Sequence, residues 1–284
     1  MPLPIKQIKN RIRSVENTKK VTAAMQMISV AKLNRLEYAL FALRPYALKL
    51  GDLMYNLAGL SEGPLSGYFK KESGSSDIAL CLITSDSGLC GAYNQNIIRI
   101  VEGFLKENSS RKVKLILVGQ KGLNYFRPRG TVILNSYLGL NAKFRQGACD
   151  KITAELSHLF LSGNVNSVYL AYTYFENSIT QKAVIEQFLG IKPKKTKPTA
   201  YITEPDLKSI LSDLVVRYLS VKMRLVFLEA FASEHAARTI SMKTATDNAK
   251  EILEALVLLR NKVRQAGITQ DILEITSSVE ALKG

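Results

Sequence analysis

Residues 207–232, LKSILSDLVVRYLSVKMRLVFLEAFA, place Leu, Leu, Leu, Tyr, Val, Leu, Leu and Ala at 207, 211, 214, 218, 221, 225, 228 and 232. The steps alternate 4-3-4-3-4-3-4, the spacing of a helix face that seats against another helix. The frame continues through His235, Thr239, Met242, Thr246, Ala249, Leu253 and Leu256. No proline follows Pro205, and Gly267 is the only glycine before the terminal one. Pro205 stands where a first helical turn accepts it. The pattern predicts one helix within 205–284, about 110 Å long for roughly 75 residues at 1.5 Å per residue.

The opposite end of the chain follows the same logic. Leu36, Ala39, Leu43, Tyr46, Leu50, Leu53, Leu57 and Leu60 step 3-4-3-4-3-4-3, and Ile5, Ile8, Ile12 and Val15 form an upstream seam. The later frame runs back through Thr22 and Thr18, so the two seams predict a register slip between them. Pro45 lies inside the pattern and predicts a kink or shifted turn. Two heptad-bearing helices at opposite ends of one chain pair as an antiparallel coiled coil, with the middle inserted between them.

In the middle the period changes. Short apolar runs at 78–84 (IALCLIT), 113–118 (VKLILV) and, more weakly, 132–134 are joined by runs at 165–175 (VNSVYLAYTYF) and 183–189. Helical stretches fit at 94–107, 120–126 and 145–161. This alternation predicts an α/β domain with a largely parallel sheet. SEGPLSGYFKKESGSS at 61–76 and IKPKKTKP at 191–198 read as linkers. The domains are therefore 1–60, 77–190 and 205–284.

Composition bounds the function. Of 284 residues 46% are hydrophobic, enough for a real core, and no run reaches the roughly 18 apolar residues of a membrane span. The start lacks the apolar run of a secretory signal. Cys81, Cys90 and Cys149 are too few and too scattered for a disulfide framework or a zinc site, and His158 and His235 supply little for metal or triad chemistry. The net charge is +15, and residues 1–50 hold ten Lys/Arg against two Glu. From residue 206 onward the balance is eleven basic to ten acidic. A basic N-terminal arm suits an acidic partner: nucleic acid, anionic lipid or an acidic protein surface.

The one loop placed for chemistry is 84–94, TSDSGLCGAYN, between a strand and a helix. It is neither G-x-G-x-x-G nor a P-loop, so it reads as a tight glycine turn packing strand against helix rather than as a nucleotide site. No paired carboxylates or Ser-His or Cys-His sets stand out, and Asp77, Asp86 and Asp150 are isolated. Lys192, Lys194, Lys195 and Lys197 read as a solvated linker. Thr22, Ala23, Ala24, Ser29 and Ala31 make a slim stretch that lets another backbone approach. No catalytic residue, cofactor or metal is expected.

Long motifs then carry a resemblance. The run 8–32, IKNRIRSVENTKKVTAAMQMISVAK, closely resembles the gamma subunit of F-type ATP synthases. So do Ser85-Asp86-x-Gly88-Leu89-Cys90-Gly91, SEHAAR at 233–238, MKTATDNA at 242–249 and RQAGITQDILEI at 264–275. The resemblance implies a long antiparallel coiled coil with an inserted Rossmann-like α/β domain, the non-catalytic central shaft of the rotary complex. Its implied partners are a ring of three alpha and three beta subunits, the epsilon subunit and the membrane ring of c subunits. Positions matching Arg238, Arg264, Gln265 and Thr269 make polar contacts with beta-subunit loops in that family, with Met25 close to them. Asp86, Gly88, Cys90 and Gly91 mark the central-domain loop. Ser87 stands where the family usually carries Arg or Lys, and Gly267 where Ala or Ser is common. No cysteine-bearing insertion of the plastid type is present, which argues against thiol regulation. With no leader, the expected setting is the cytoplasmic face of a bacterial inner membrane, an organelle-encoded or mature chain being the alternative. The competing functions are a basic coiled-coil protein on nucleic acid, with steep salt dependence, and an α/β enzyme with a polar pocket at 77–190.

Overall fold

The structure is a computed structural model that describes residues 5–60, 67–69, 76–190 and 207–281. The linkers at 61–76 and 191–198, apart from 67–69 and 76, and Pro205 lie outside the described residues. The elements run α1 (Ile5–Leu60), β1 (Ile78–Ile83), α2 (Tyr93–Glu107), β2 (Val113–Val118), α3 (Gln120–Phe126), a 3-10 turn (Arg127–Arg129), β3 (Val132–Tyr137), α4 (Gln146–Leu161), β4 (Ser167–Phe175), β5 (Gln181–Leu189) and α5 (Leu207–Ala281). The chain divides into two compact units, 1–28 with 239–284, and 29–238.

In the larger unit the sheet order is β3-β2-β1-β4-β5. β1 pairs in parallel with β2 and β4, β2 with β3, and only β5 runs antiparallel, beside β4. Strand alternation deals the side chains to two cores. Leu80, Leu82, Leu115 and Leu117 face α2 and α3 through Ile97, Val101 and Phe126. Ala79, Cys81, Ile83, Ile116 and Val118 face the other way, in one core with α4, the later part of α1 and the first part of α5. β1 is buried at all six positions, which is why it reads as a continuous apolar run rather than an alternating one. β3 runs three residues past the predicted 132–134, and its pattern of exposed and half-buried positions explains the weak signal.

Two expectations for α1 are corrected. No register slip occurs: half-buried or buried positions fall at 5, 8, 12, 15, 19, 22 and 26 in the smaller unit, then 29, 33, 36, 40, 43, 47, 50, 54 and 57 in the larger. The steps alternate 3 and 4 throughout. The slip was an artefact of chemistry, because Lys19, Thr22, Gln26 and Ser29 occupy seam positions and carry no apolar signal. The later seam is also rephased. Leu40, Ala47 and Met54 are buried where Ala39, Tyr46 and Leu53 were expected, and Tyr46 and Leu53 are 42% and 36% exposed. Two heptad phases both contain Leu36, Leu43, Leu50 and Leu57, so a hydrophobic count alone favours the one with tyrosine and leucine over the one with alanine and methionine. Pro45 sits within an uninterrupted helix assignment.

The α5 seam keeps its predicted phase. Leu211, Tyr218, Val221, Leu225, Leu228, Ala232, His235, Met242 and Ala249 are buried. In the larger unit Arg44 cross-links three elements: one guanidinium nitrogen donates to Glu229 Oε1 at 2.9 Å and to the Phe175 carbonyl at 2.8 Å, and the cation lies 5.1 Å from the Tyr174 ring centre. In the smaller unit the two helices meet through a polar pair, with the hydroxyls of Thr22 and Thr246 2.7 Å apart.

That pair gives a test. Each hydroxyl also has a backbone acceptor, Lys19 and Met242 respectively, so Thr22→Val or Thr246→Val alone should cost about 0.5–1.5 kcal/mol, while the double substitution should return close to the wild-type value. Denaturant titration of the four proteins, as a double-mutant cycle, reads the coupling.

Candidate functional site

The loop after β1 is shaped by three side chains and one missing Cβ. The Thr84 hydroxyl donates to the Val118 carbonyl at 2.9 Å and accepts from the Gly122 N–H at 2.9 Å. Gly119, at φ +92°, lies so close that a Cβ would stand 2.2 Å from the Thr84 carbonyl oxygen, so no other residue fits there. The Ser85 N–H donates to Asn94 Oδ1 at 3.0 Å, and the Asn94 amide donates to Cys90 Sγ at 3.2 Å. Asp86 accepts three backbone N–H groups: Gln120 at 3.1 Å, Gly139 at 3.1 Å and Asn141 at 2.7 Å. One carboxylate thereby joins the start of α3 to the turn after β3, where Gly139, Asn141 and Ala142 all have positive φ.

The loop is held to α5 as well. The Tyr93 hydroxyl donates to the Ala230 carbonyl at 3.1 Å, and Ser233 donates to the Thr173 carbonyl at 3.1 Å. Arg238 donates to Glu234 at 2.7 Å, to the Ser87 hydroxyl at 3.1 Å and, at 3.4 Å, to the Gly88 carbonyl. Arg238 and Glu234 are 6% and 2% exposed. Burial pushes the Glu234 carboxyl up, against the pull of Arg238. Burial, aided by the charges of Arg238 and Lys32, lowers His235 to about 4. Cys81 and Cys149 are pushed up to about 12 by burial, and burial likewise raises Cys90. These are inert packing thiols.

The residues singled out from sequence separate into three places. Asp86, Gly88, Cys90 and Gly91 form the loop just described, Gly91 at φ +56°. Arg238 joins that loop; its guanidinium is engaged inside the chain. Met25 is half-buried on α1, one turn from Thr22 and so near the level of Thr246. Arg264, Gln265 and Thr269 are exposed on α5, and the Thr269 hydroxyl donates to the Gln265 carbonyl at 3.0 Å. Arg264 lies eighteen residues beyond Thr246, about 27 Å along the helix. Met25 and that trio are therefore separate features of the helical unit, not the neighbours expected. Glu234, Tyr93 and Asn94 were missed. Glu234 had a signal, since Glu-x-x-x-Arg places the pair on one helix face.

Comparison with known proteins agrees with this arrangement. A family model described as ATP synthase matches residues 4–282. ATP synthase gamma chains of Flavobacterium psychrophilum and Chloroherpeton thalassium are 38% and 35% identical, covering 99% and 98% of this chain and equal shares of their own.

The chain belongs to the ATP synthase gamma chain family.

It is thus a rotor subunit of an F-type ATP synthase, a part of the central stalk of a membrane-associated complex that serves ATP synthesis and proton transport. The nucleic-acid alternative finds no support in these relatives. A chain from the Euglena gracilis mitochondrial ATP synthase, OSCP/F1/c-ring in rotational state 3, shares the fold with a TM-score of 0.70 at 16% identity, covering 98% of this chain and 94% of its own. A chain of the Tetrahymena thermophila mitochondrial ATP synthase central stalk and c-ring scores 0.61 at 24% identity, covering 79% and 99%. Among the described residues no helix is long and apolar enough to cross a membrane.

The buried histidine predicts a pH dependence. Its folded pKa of about 4 lies below the ordinary 6.5, so the unfolded chain takes up the proton first as pH falls. The stability that neutral His235 carries is complete above pH 6.5 and is lost between 6.5 and about 4, up to about 3 kcal/mol. The raised Glu234 works in the opposite direction. The difference between wild type and His235→Gln, followed by urea titration from pH 7.5 to 4.5, isolates the histidine and should shrink as the medium acidifies.

Proposed function

We propose that this rotor subunit works as a cam inside a ring of three alpha and three beta chains, carrying c-ring rotation to the beta-subunit sites, with its α/β domain meeting the epsilon subunit and the c ring. The observation that supports it is the end of α5. Every described residue from 268 to 281 is exposed, yet Ile268, Ile272, Ile275 and Val279 repeat at 4-3-4 and are 52%, 57%, 65% and 47% exposed. A helix stripe of this kind covers itself against a partner. Just before it stand Arg264 and Gln265, and within it Thr269, polar groups on the same stretch of helix. An apolar tip with polar flanks suits a bearing that must be held yet turn: a hydrogen bond to a charged group contributes roughly 1.5–3 kcal/mol, small enough to be broken at each step. Met25 we assign to a separate beta contact, lower on the shaft and beside the basic arm.

The chain itself is read as non-catalytic. At the loop after β1 the carboxylate of Asp86 accepts the first N–H of α3, and an anion there repels phosphate. The bacterial relatives support the cytoplasmic face of a bacterial inner membrane as the setting.

Affinity capture of the tagged chain from its own membranes tests the class: alpha and beta subunits should come with it, and nucleic acid without them would reverse the assignment. For the contact residues, Arg264→Ala with Gln265→Ala should lower ATPase turnover of the assembled complex by about tenfold, the equivalent of one charge-assisted bond. Far-UV circular dichroism of the isolated subunit should be unchanged, since both side chains are exposed.

A further inference from the structure

Three arginines of the larger unit are not exposed: Arg44, Arg224 and Arg238. Arg44 and Arg238 each face an acid, Glu229 and Glu234. Arg224 pairs with no carboxylate among the described residues. Its Nε is buried without an acceptor, and what it faces instead is the Phe144 ring, whose centre lies 5.6 Å from the guanidinium carbon. A half-buried cation that meets neither acid nor acceptor is costly to keep, and this marks a place for an anion.

Arg224 stands at one end of a groove between α1 and α5 of about 800 Å³, within the size range of small-molecule sites. Leu43, Leu214 and Val221 give it an apolar lining, and Val216, 53% exposed, borders it. Arg217 lines it too, one heptad before Arg224 and so on the same helix face. The one lining acid, Asp213, lies about 16 Å along α5 from Arg224. Charge therefore rises along the groove from Asp213 through Arg217 to Arg224. The groove is also narrow. Arg217 Nε donates to the Tyr46 hydroxyl at 2.9 Å, which joins the α5 wall to the α1 wall. A helix, about 10 Å across with its side chains, is too wide for a channel bridged in this way; an extended alkyl chain is not.

We propose that this groove binds a free long-chain fatty carboxylate, its head on Arg224 and its tail over Leu43, Leu214 and Val221. The tail supplies affinity through the apolar area it covers. The carboxylate supplies direction, because it is drawn to the guanidinium end and repelled by Asp213 at the other. An inorganic anion lacks the tail, and a cationic amphiphile meets two guanidiniums, so neither satisfies the site.

The full chain contains no tryptophan, so Val216→Trp places a single fluorescent reporter at the groove, at a residue exposed enough to leave folding intact. Ile275→Trp, at a position 65% exposed in the smaller unit, is the control. Laurate, added below its micelle-forming concentration, should shift the Val216→Trp emission to the blue with saturation and leave Ile275→Trp unchanged. Arg224→Gln in the reporter chain should weaken that binding by about tenfold, the loss of one charge-assisted bond, and Arg217→Gln by a smaller factor. Dodecyltrimethylammonium, with a tail of similar length and a cationic head, should not bind. An equal response to the two amphiphiles, an equal response of Ile275→Trp, or undiminished laurate binding in Arg224→Gln would each overturn the proposal. Should Arg224→Gln not fold, the comparison of the two head groups on the Val216→Trp chain decides.

Two further arms separate the possible occupants. Phosphatidylglycerol vesicles offer anionic heads whose tails stay in a bilayer, and should leave the reporter unmoved; a shift as large as that with laurate would overturn the free carboxylate in favour of membrane lipid. In the assembled complex the reporter should begin exposed and still respond to laurate. A reporter already blue-shifted there before laurate is added would assign the groove to a neighbouring chain and overturn the proposal. The arms on the isolated chain stand without the rotor assignment, so a complex that fails to form would tell against that assignment and leave the groove to the laurate titration.

Discussion

From residue 225 to 236, α5 is buried at every position. This is the constraint around which the larger unit is organised. A surface helix buries one stripe, but this one must meet α1 along its heptad seam while the rest of its circumference closes the sheet and α4. Such a helix has no solvent face on which to place charge. Yet Glu229 and Glu234 lie in it, with Arg238 just beyond. Each acid is matched: Arg44 reaches Glu229 from α1, and Arg238 reaches Glu234 from one turn on. Removing one partner of such a pair leaves a buried charge uncompensated, which costs far more than the pair contributes. The pairs therefore specify which helix faces which element, more than they add stability.

The arms were legible because their signal is long. A heptad repeat sustained over many turns survives local exceptions, and α5 kept its predicted phase across two dozen residues of alternating burial. The phase of α1 was not legible, for a reason visible in its residues. Lys19, Thr22, Gln26 and Ser29 hold seam positions in a slim, polar contact, while Tyr46 and Leu53 are apolar and exposed. Hydrophobicity reports burial only where the core is made of hydrophobic residues. The sheet order could not be read from one chain either, since parallel pairing leaves no local mark comparable to a hairpin turn.

The site was legible in its loop and not in its wiring. Asp86 looked isolated because its three partners are backbone N–H groups, which any residue can supply. Arg238 was named as a contact through the resemblance alone, and nothing in its local sequence marks it as buried. Its burial follows from where the sheet domain lands on α5, a tertiary fact absent from local sequence. Arg264, Gln265 and Thr269, named through the resemblance, are exposed on a stretch of α5 that no described residue covers.

That uncovered stretch has a consequence for how the protein can exist in a cell. Ile268, Ile272, Leu273, Ile275 and Val279 are displayed on a helix end with no cover among the described residues, and such surfaces adhere to one another when chains are concentrated. A copy made in excess of its companions is then a liability rather than a reserve. Synthesis in step with whatever covers the tip keeps the chain soluble, and a surplus is lost to clumping or to proteolysis from that end.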